Sequence, residues 1–362
     1  MVKVSADGLA ALVADIFVAA GCSEAEGVRI GRSLVGANLA GHDSHGVVRV
    51  PRYLLWKGEG TIFADRDVTR VVDTPVISVL DGNYGFGQTI APIAVADGIA
   101  KCKTGGLSCV ALRNVGHVGR VGEWAEEAAA EGLVSIHHVN APASLLVAPF
   151  GGIDRRFSTA PYAVGVPRPD GDHIILDFAT SVVAEGKVLV ASQGGKPLPD
   201  HALVSKDGEI GGDPHFLYGD YAGDGARDPA NGEGAIRAMG DHKGSGLAFM
   251  VEILGGSLTG VGAPIEKRHW TNGMLSIYID PNVLDPDGFF PADITRYLKL
   301  FKSARPIDPE GEVLYPGEPE RQRRAERTAN GVPLPEETWA SIRTAALGEG
   351  LAAERIDSII VG

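Results

Sequence analysis

Ser44 and His45 stand side by side in the glycine-punctuated stretch GHDSHGVVRVPRYL, and Arg49 follows four residues after His45. If this turn enters a helix, His45 and Arg49 share a face. A guanidinium beside an imidazole suits a ligand that carries a carboxylate next to a carbonyl. The arginine would clamp the carboxylate with a two-bond fork, and the histidine would exchange the proton of a carbonyl or carbinol. A solvated His45 and a surface-paired Arg49 at an ordinary helix start would show the same spacing. His117 and Arg120 form a second cluster in the turn GHVGRVG. The carboxyl end of a buried strand is a common α/β placement for a catalytic or orienting histidine, although a turn histidine can also be idle. The third cluster is Asp177 to Lys187, DFATSVVAEGK. Its small residues would admit a flat cofactor ring, and Glu185 could orient a histidine; close helix packing asks for the same small residues. In the fourth, His242-Lys243-Gly244 opens an apolar helix, where Lys243 could hold a phosphate or simply end a surface helix.

Such clusters need a scaffold, and the composition says what kind. The chain has 362 residues, 44% hydrophobic and 22% charged, which suits a large folded core and argues against disorder. Its 49 glycines are about twice the usual share, as expected where the backbone must turn tightly or approach a ligand closely. A formal net charge of −13 leaves no basic surplus for nucleic acid. No apolar run reaches the roughly 18–20 residues of a membrane helix. The first residues space Leu9, Leu12, Val13, Ile16 and Phe17 helically around Asp7 and Asp15, which reads as a folded amphipathic helix and not a signal peptide. The expected location is the cytoplasm. Cys22, Cys102 and Cys109 form no CxxC pair, the histidines show no metal spacing, and His137-His138 would point to opposite faces of a strand, so no metal is expected.

Along the chain, Ser5 and Gly21 bracket a first helix, and Ser23 with Glu26 reads as a capping box opening a second that ends near Leu39. Another helix follows Pro51. Short β-branched runs begin near Val68, and Asp81-Gly82 marks a turn. Residues 88–104 are helical in spacing, 107–115 a buried strand, 123–132 a helix and 133–140 a strand. The stretch 173–180 reads as a strand leading into helix 181–194. Residues 242–260 read as a buried small-residue helix, 274–280 as a strand, and the chain from Gly288 as amphipathic helix. Residues 308–331 read as an exposed charged loop, and a final helix starts near Pro335. The expected fold is mixed α/β.

Strand 107–115, a glycine-rich turn, a helix and strand 133–140 resemble a dinucleotide-binding βαβ unit, but the spacing disagrees. Gly116, Gly119 and Gly122 give GxxGxxG where the fingerprint is GxGxxG, and Asn140 stands where a ribose-binding acid should end the second strand. The helix start at 119–123 could still hold a phosphate.

Six motifs, DSHGVVRVPRY, GHVGRVGEWAEEAA, FSTAPYAVGVP, DFATSVVAEGK, GDHKGSGLAFMVEILGGSLTG and YPGEPE, resemble in order those of the type 2 malate/L-lactate dehydrogenase family over about residues 5 to 345. Its members include ureidoglycolate dehydrogenase, diketogulonate reductase, sulfolactate dehydrogenase and the Δ1-piperideine-2-carboxylate reductases. The resemblance implies an NAD(P)-dependent oxidoreductase acting at C2 of a small 2-hydroxy or 2-oxo acid, with NAD expected and NADP possible. Cyclic imino acid reduction is the alternative activity, and a cofactor-binding protein without turnover the non-enzyme one. It also implies a homodimer and a nicotinamide domain that is not a Rossmann fold. That domain is expected over 71–284, with a helical domain built from 1–70 and 285–362.

The resemblance makes His45 the proton donor, Ser44 its relay and Arg49 the carboxylate clamp. His117 becomes a rival or partner that touches substrate or cofactor, with Gly119 and Arg120 near the cofactor. Asn140, Thr159, Asp177, Phe178, Ala179, His242, Lys243, Gly317 and Glu318 fall at cofactor-binding positions, with Arg321 close by. Glu185 occupies the place of an aspartate that relays to the catalytic histidine in some relatives. Ala160 replaces an asparagine before Pro161 and removes a side-chain hydrogen bond. Residues 213–236 match less well and suggest no role.

Overall fold

The computed structural model describes residues 1–192, 194, 196–221, 227–265 and 269–361. Its main sheet has seven strands in the spatial order Thr69–Asp73, Ile77–Asp81, Leu107–Val115, Asn272–Ile279, Val134–Asn140, Pro161–Val166 and Ile174–Ala179. Only Ile77–Asp81 and Leu107–Val115 run parallel; every other pair is antiparallel. The fold is mixed α/β. The two strands of the would-be βαβ unit are not neighbours, because Asn272–Ile279 lies between them and runs against both. The failed glycine fingerprint therefore has a topological counterpart: adjacent parallel strands are missing here.

Helices Gly87–Gly105 and Val121–Ala130 cover one face, burying Leu80, Ile90, Leu112, Trp124, Met274 and Tyr278. A Cβ on Gly98 would lie 2.2 Å from the Tyr278 ring, so glycine is what lets that helix reach the sheet. Helices Ala6–Ala19, Glu24–Leu39, Val50–Gly58 and Glu336–Gly348 share a second core, which includes Phe17, Leu34, Tyr53 and Ile342. Strand Val2–Val4 pairs antiparallel with Val332–Leu334 and joins both ends of the chain to this core. A third core lies under a small sheet of Ile210–Gly211, Leu203–Val204, Ala235–Arg237 and Val147–Ala148. That sheet was not legible in the sequence, because its strands are two or three residues long.

Local readings met several corrections. The charged stretch 308–331 is not all loop: Glu318–Asn330 is a helix. No side chain of this helix is buried, so it shows no apolar stripe, and Arg324 and Arg327 pair with Glu126 and Asp43 of other elements. The capping box at Ser23 forms only halfway. Ser23 Oγ accepts from the Glu26 amide, but the Glu26 carboxylate turns inward to Thr89 Oγ1 at 2.6 Å and the Asp65 amide at 2.7 Å. Helix 181–194 shortens to Glu185–Ser192; Gln193 lies outside the described residues. The segment from His242 is not wholly buried, since Phe249 is 55% exposed, and it changes from α- to π-helix over Ile253–Ser257. Within 213–236, residues 222–226 lie outside the described residues. No helix among the described residues is long and apolar enough to cross a membrane.

Candidate active site

The segment after helix Glu24–Leu39 folds into two short 3-10 turns, Asp43–His45 and Val47–Arg49. Buried Asn38 staples them: its Nδ2 donates to Asp43 Oδ1 at 2.7 Å, and its Oδ1 accepts from the Val47 amide at 2.8 Å. Gly46 is required because a Cβ would sit 2.2 Å from Asn38 Oδ1. His45 and Arg49 therefore do not share one α-helical face. Instead Arg49 folds back and its Nε donates to the Ser44 carbonyl at 2.6 Å. Ser44 Oγ lies 3.0 Å from His45 Nδ1.

His117 leaves the end of strand Leu107–Val115, where the following amide of Val118 donates to Asn272 Oδ1 at 3.0 Å. Its ring stacks on His45 with centroids 5.3 Å apart and planes 20° from parallel. Trp270 tilts against the same ring at 5.9 Å and itself stacks on Trp56 at 4.1 Å. Tyr53 Oη lies 2.6 Å from His117 Nδ1, and Gln88 Nε2 lies 3.1 Å from that phenol. Burial and the Arg49 charge both disfavour the imidazolium. They push His45 down to about 3 and His117 well below the ordinary histidine value. Further cationic pressure on His45 comes from His42 and Arg120.

Behind the histidine pair, Arg120 is buried at the start of helix Val121–Ala130. Its Nη2 pairs with Glu126 at 2.6 Å, while Nη1 lies 3.9 Å from Asp177 and has no hydrogen-bond acceptor among the described residues. Asp177 accepts from the Gly122 amide at 2.9 Å and faces His42 at 3.9 Å. Phe178 tilts on Tyr162 at 5.9 Å. The Thr159 carbonyl receives Thr180, and Ala160 keeps a positive φ of 37° before Pro161. An L-residue is strained there.

The other residues singled out in the sequence are placed differently. Glu185 accepts from Tyr218 Oη at 2.6 Å and bonds to neither histidine, although the next residue, Gly186, packs against Ser44. The Asn140 amide is occupied by the backbone of Gly262 and Gly273. His242 and Lys243 are exposed at the start of helix His242–Glu252, where His242 meets Phe150 edge-on. Gly317, at φ 93°, starts helix Glu318–Asn330, and the Glu318 carboxylate holds Lys302 at 2.8 Å. Arg321 reaches the His173 carbonyl at 2.8 Å and Tyr315 Oη at 2.6 Å. No group of three or more His, Cys, Asp or Glu that could hold a metal occurs among the described residues.

Sequence reasoning passed over Tyr53, Gln88, His42, Trp270 and the buried Glu252, which receives both the Ser158 amide and hydroxyl. Tyr53 left a signal. It lies four residues after Arg49 in an apolar helix, and a tyrosine buried there needs a polar partner.

The histidine pair, Arg49, and Arg120 with its acidic partners form one cluster that could hold and protonate a small anion. The model of the malate/L-lactate dehydrogenase family matches residues 4–343, and the chain belongs to that family of hydroxyacid dehydrogenases. It is 35% identical to hydroxycarboxylate dehydrogenase B of Escherichia coli over 98% of this chain and 97% of that one. The sulfolactate dehydrogenase structure from Methanocaldococcus jannaschii superposes with a TM-score of 0.84 at 27% identity, covering 99% of both chains. The Δ1-piperideine-2-carboxylate reductase structure from Pseudomonas syringae gives 0.78 at 27% identity, covering 95% of this chain and 100% of that one.

Proposed function

We propose that the protein is an NAD(P)-dependent dehydrogenase that interconverts a small 2-hydroxy acid and its 2-oxo acid. The observation that carries this reading is the convergence of Arg49 with the stacked pair His45 and His117. Arg49 clamps the substrate carboxylate, which places the neighbouring C2 oxygen against the imidazoles. His45 moves the proton at that oxygen, and Ser44 orients His45 through Nδ1. When bound, the nicotinamide supplies or takes the hydride at C2.

The residues fit such a cofactor. Buried Arg120 offers an Nη1 that no acceptor among the described residues hydrogen-bonds, a donor that an anionic group would satisfy. Thr159, Asp177, Phe178 and Ala179 are assigned to its nicotinamide and ribose end. Gly119, Arg120 and Asn140 are assigned to its surroundings, with His242, Lys243, Gly317 and Glu318 further out. A second copy of the chain completing a homodimer, and a cytoplasmic setting, are part of the same reading.

The test follows absorbance of NADH and of NADPH with pyruvate, oxaloacetate, hydroxypyruvate, 3-sulfopyruvate and piperideine-2-carboxylate. Oxidation with one or more of the four open-chain 2-oxo acids is expected. Turnover of piperideine-2-carboxylate alone would make the protein an imino acid reductase, and turnover of none would leave a binding protein.

A further inference from the structure

His117 can carry its single neutral-state proton on either ring nitrogen, and which one decides what the ring can do to a substrate oxygen. Tyr53 and Gln88 are both about 1% exposed, so their polar atoms have only protein partners to choose from, and Gln88 Oε1 finds none among the described residues. Gln88 Nε2 lies 3.1 Å from the His117 carbonyl and 3.1 Å from Tyr53 Oη. A carbonyl oxygen only accepts, so the amide group facing it is the NH2. Turning the amide over would set two carbonyl oxygens at that distance. The NH2 has a second proton, which it donates to the phenol oxygen. The phenol keeps its own proton, because burial pushes its ionisation far up. Among the described residues, the one remaining acceptor for that proton is His117 Nδ1 at 2.6 Å. The donor chain therefore runs from Gln88 through Tyr53 to Nδ1.

We propose that Tyr53 and Gln88 are positioning residues that fix neutral His117 with its proton on Nε2, so that this ring donates a hydrogen bond to the substrate's C2 oxygen and leaves proton transfer to His45. Nε2 has no protein partner among the described residues and is the ring nitrogen left for a ligand. Burial and the Arg49 charge keep the ring neutral. A neutral imidazole in this state is an electrophile and not a base, as its one lone pair is already engaged by the phenol. During oxidation the carbinol proton would pass to His45 and the hydride at C2 to the bound oxidised nicotinamide, while His117 retains its own proton throughout. The identity of the oxygen rests on the dehydrogenase reading; the tautomer does not.

The test is long-range 1H–15N correlation NMR of protein labelled with [15N]histidine, with His117 assigned by its disappearance in His117→Gln. At pH 7 His117 is expected as the pure Nε2–H form. Tyr53→Phe should mix the two tautomers and lower kcat about tenfold, the size of one neutral hydrogen bond, while leaving KM for NADH near normal. Gln88→Leu should also admit the Nδ1–H form, because the released phenol can then accept from Nδ1. An Nδ1–H or doubly protonated His117 in the wild type overturns the proposal, and so does Tyr53→Phe that retains the pure Nε2–H form. If both variants misfold, the wild-type spectrum still decides. Loss of turnover with every 2-oxo acid would sink the proposed function, yet this spectrum would read the same.

Discussion

His45 and His117 leave two different turns, one after a helix and one after a strand, and bring their rings into a stack with centroids 5.3 Å apart. Two adjacent imidazoles beside Arg49 cannot both be charged cheaply, and the environment depresses both. In the proposed mechanism His45 is the proton carrier and His117 the neutral donor. His45→Gln should lower turnover by about two to four orders of magnitude in both directions while NADH still binds. His117→Gln keeps an N–H donor and should cost about tenfold. Steady-state kinetics on both variants checks the assignment, and the opposite ranking would exchange the two roles.

The same pair sets the sign of the pH dependence. In the proposed mechanism reduction consumes a proton from His45 and needs the charged ring, whereas oxidation needs the neutral one. With His45 pushed down to about 3 in the free protein, the neutral form prevails at ordinary pH. Hence kcat/KM for the 2-oxo acid should fall as pH rises through neutrality. The value for the hydroxy acid should hold steady over the same range. Profiles of both directions between pH 5 and 9 read this directly; a reduction rate that climbs with pH contradicts it.

Arg49 is held by its Nε bond to the Ser44 carbonyl, which leaves the outer nitrogens of the fork for a carboxylate. Lysine offers a point charge and cannot reproduce that geometry. Arg49→Lys should lose about 2–4 kcal/mol in kcat/KM. Near-normal kinetics on the best 2-oxo acid would place the clamp elsewhere.

Cofactor binding should appear without turnover. A ligand that binds only the native state stabilises it by mass action, by about 2.7 kcal/mol at one hundred times its Kd. A thermal shift with NADH or NADPH is therefore expected in the wild type and in His45→Gln. A flat melting curve with both cofactors at saturation would count against a nicotinamide site.

His137, wholly buried between Ser276 Oγ at 2.9 Å and Ser135 Oγ at 3.0 Å, predicts an acid weakness outside the site. Burial pushes it down to about 3, so the unfolded chain binds a proton that the native state refuses. Stability is therefore lost as pH falls below the unfolded value of roughly 6.5, by roughly 1 kcal/mol per pH unit for this one group. Denaturant unfolding at pH 7 and pH 5 should show a shallower loss in His137→Asn than in the wild type. Equal slopes would remove His137 as the cause.

Much of this architecture is legible in residue patterning, and the exceptions share physical causes. Strands Leu107–Val115 and Val134–Asn140 announce themselves by apolar β-branched runs. That Asn272–Ile279 separates them is a long-range fact that no local spacing encodes. Helix Glu318–Asn330 escaped because it buries no side chain and its charged residues pair with other elements, as Arg327 does with Asp43 at 2.6 Å, and apolar periodicity does not register charge. Residue type alone marked Ser44, His45, Arg49 and His117 as chemically able. It did not reveal their arrangement, because Arg49 reaches Ser44 through a 3-10 kink and not along a helical face. Glu185 looked like an orienting acid by position, whereas the fold brings Tyr218 to it first.

The insertion of Asn272–Ile279 between two earlier strands also governs how the protein is born. A ribosome delivers Leu107–Val115 and Val134–Asn140 long before the strand that must join them. Until then each offers an open row of backbone donors and acceptors, the kind of edge that invites pairing with another nascent chain. Helices Gly87–Gly105 and Val121–Ala130 can form early, but the layer they cover stays split down its middle. A chain released short of Ile279 therefore carries both histidines and their contacts but lacks the strand that joins the two halves of the sheet beneath them.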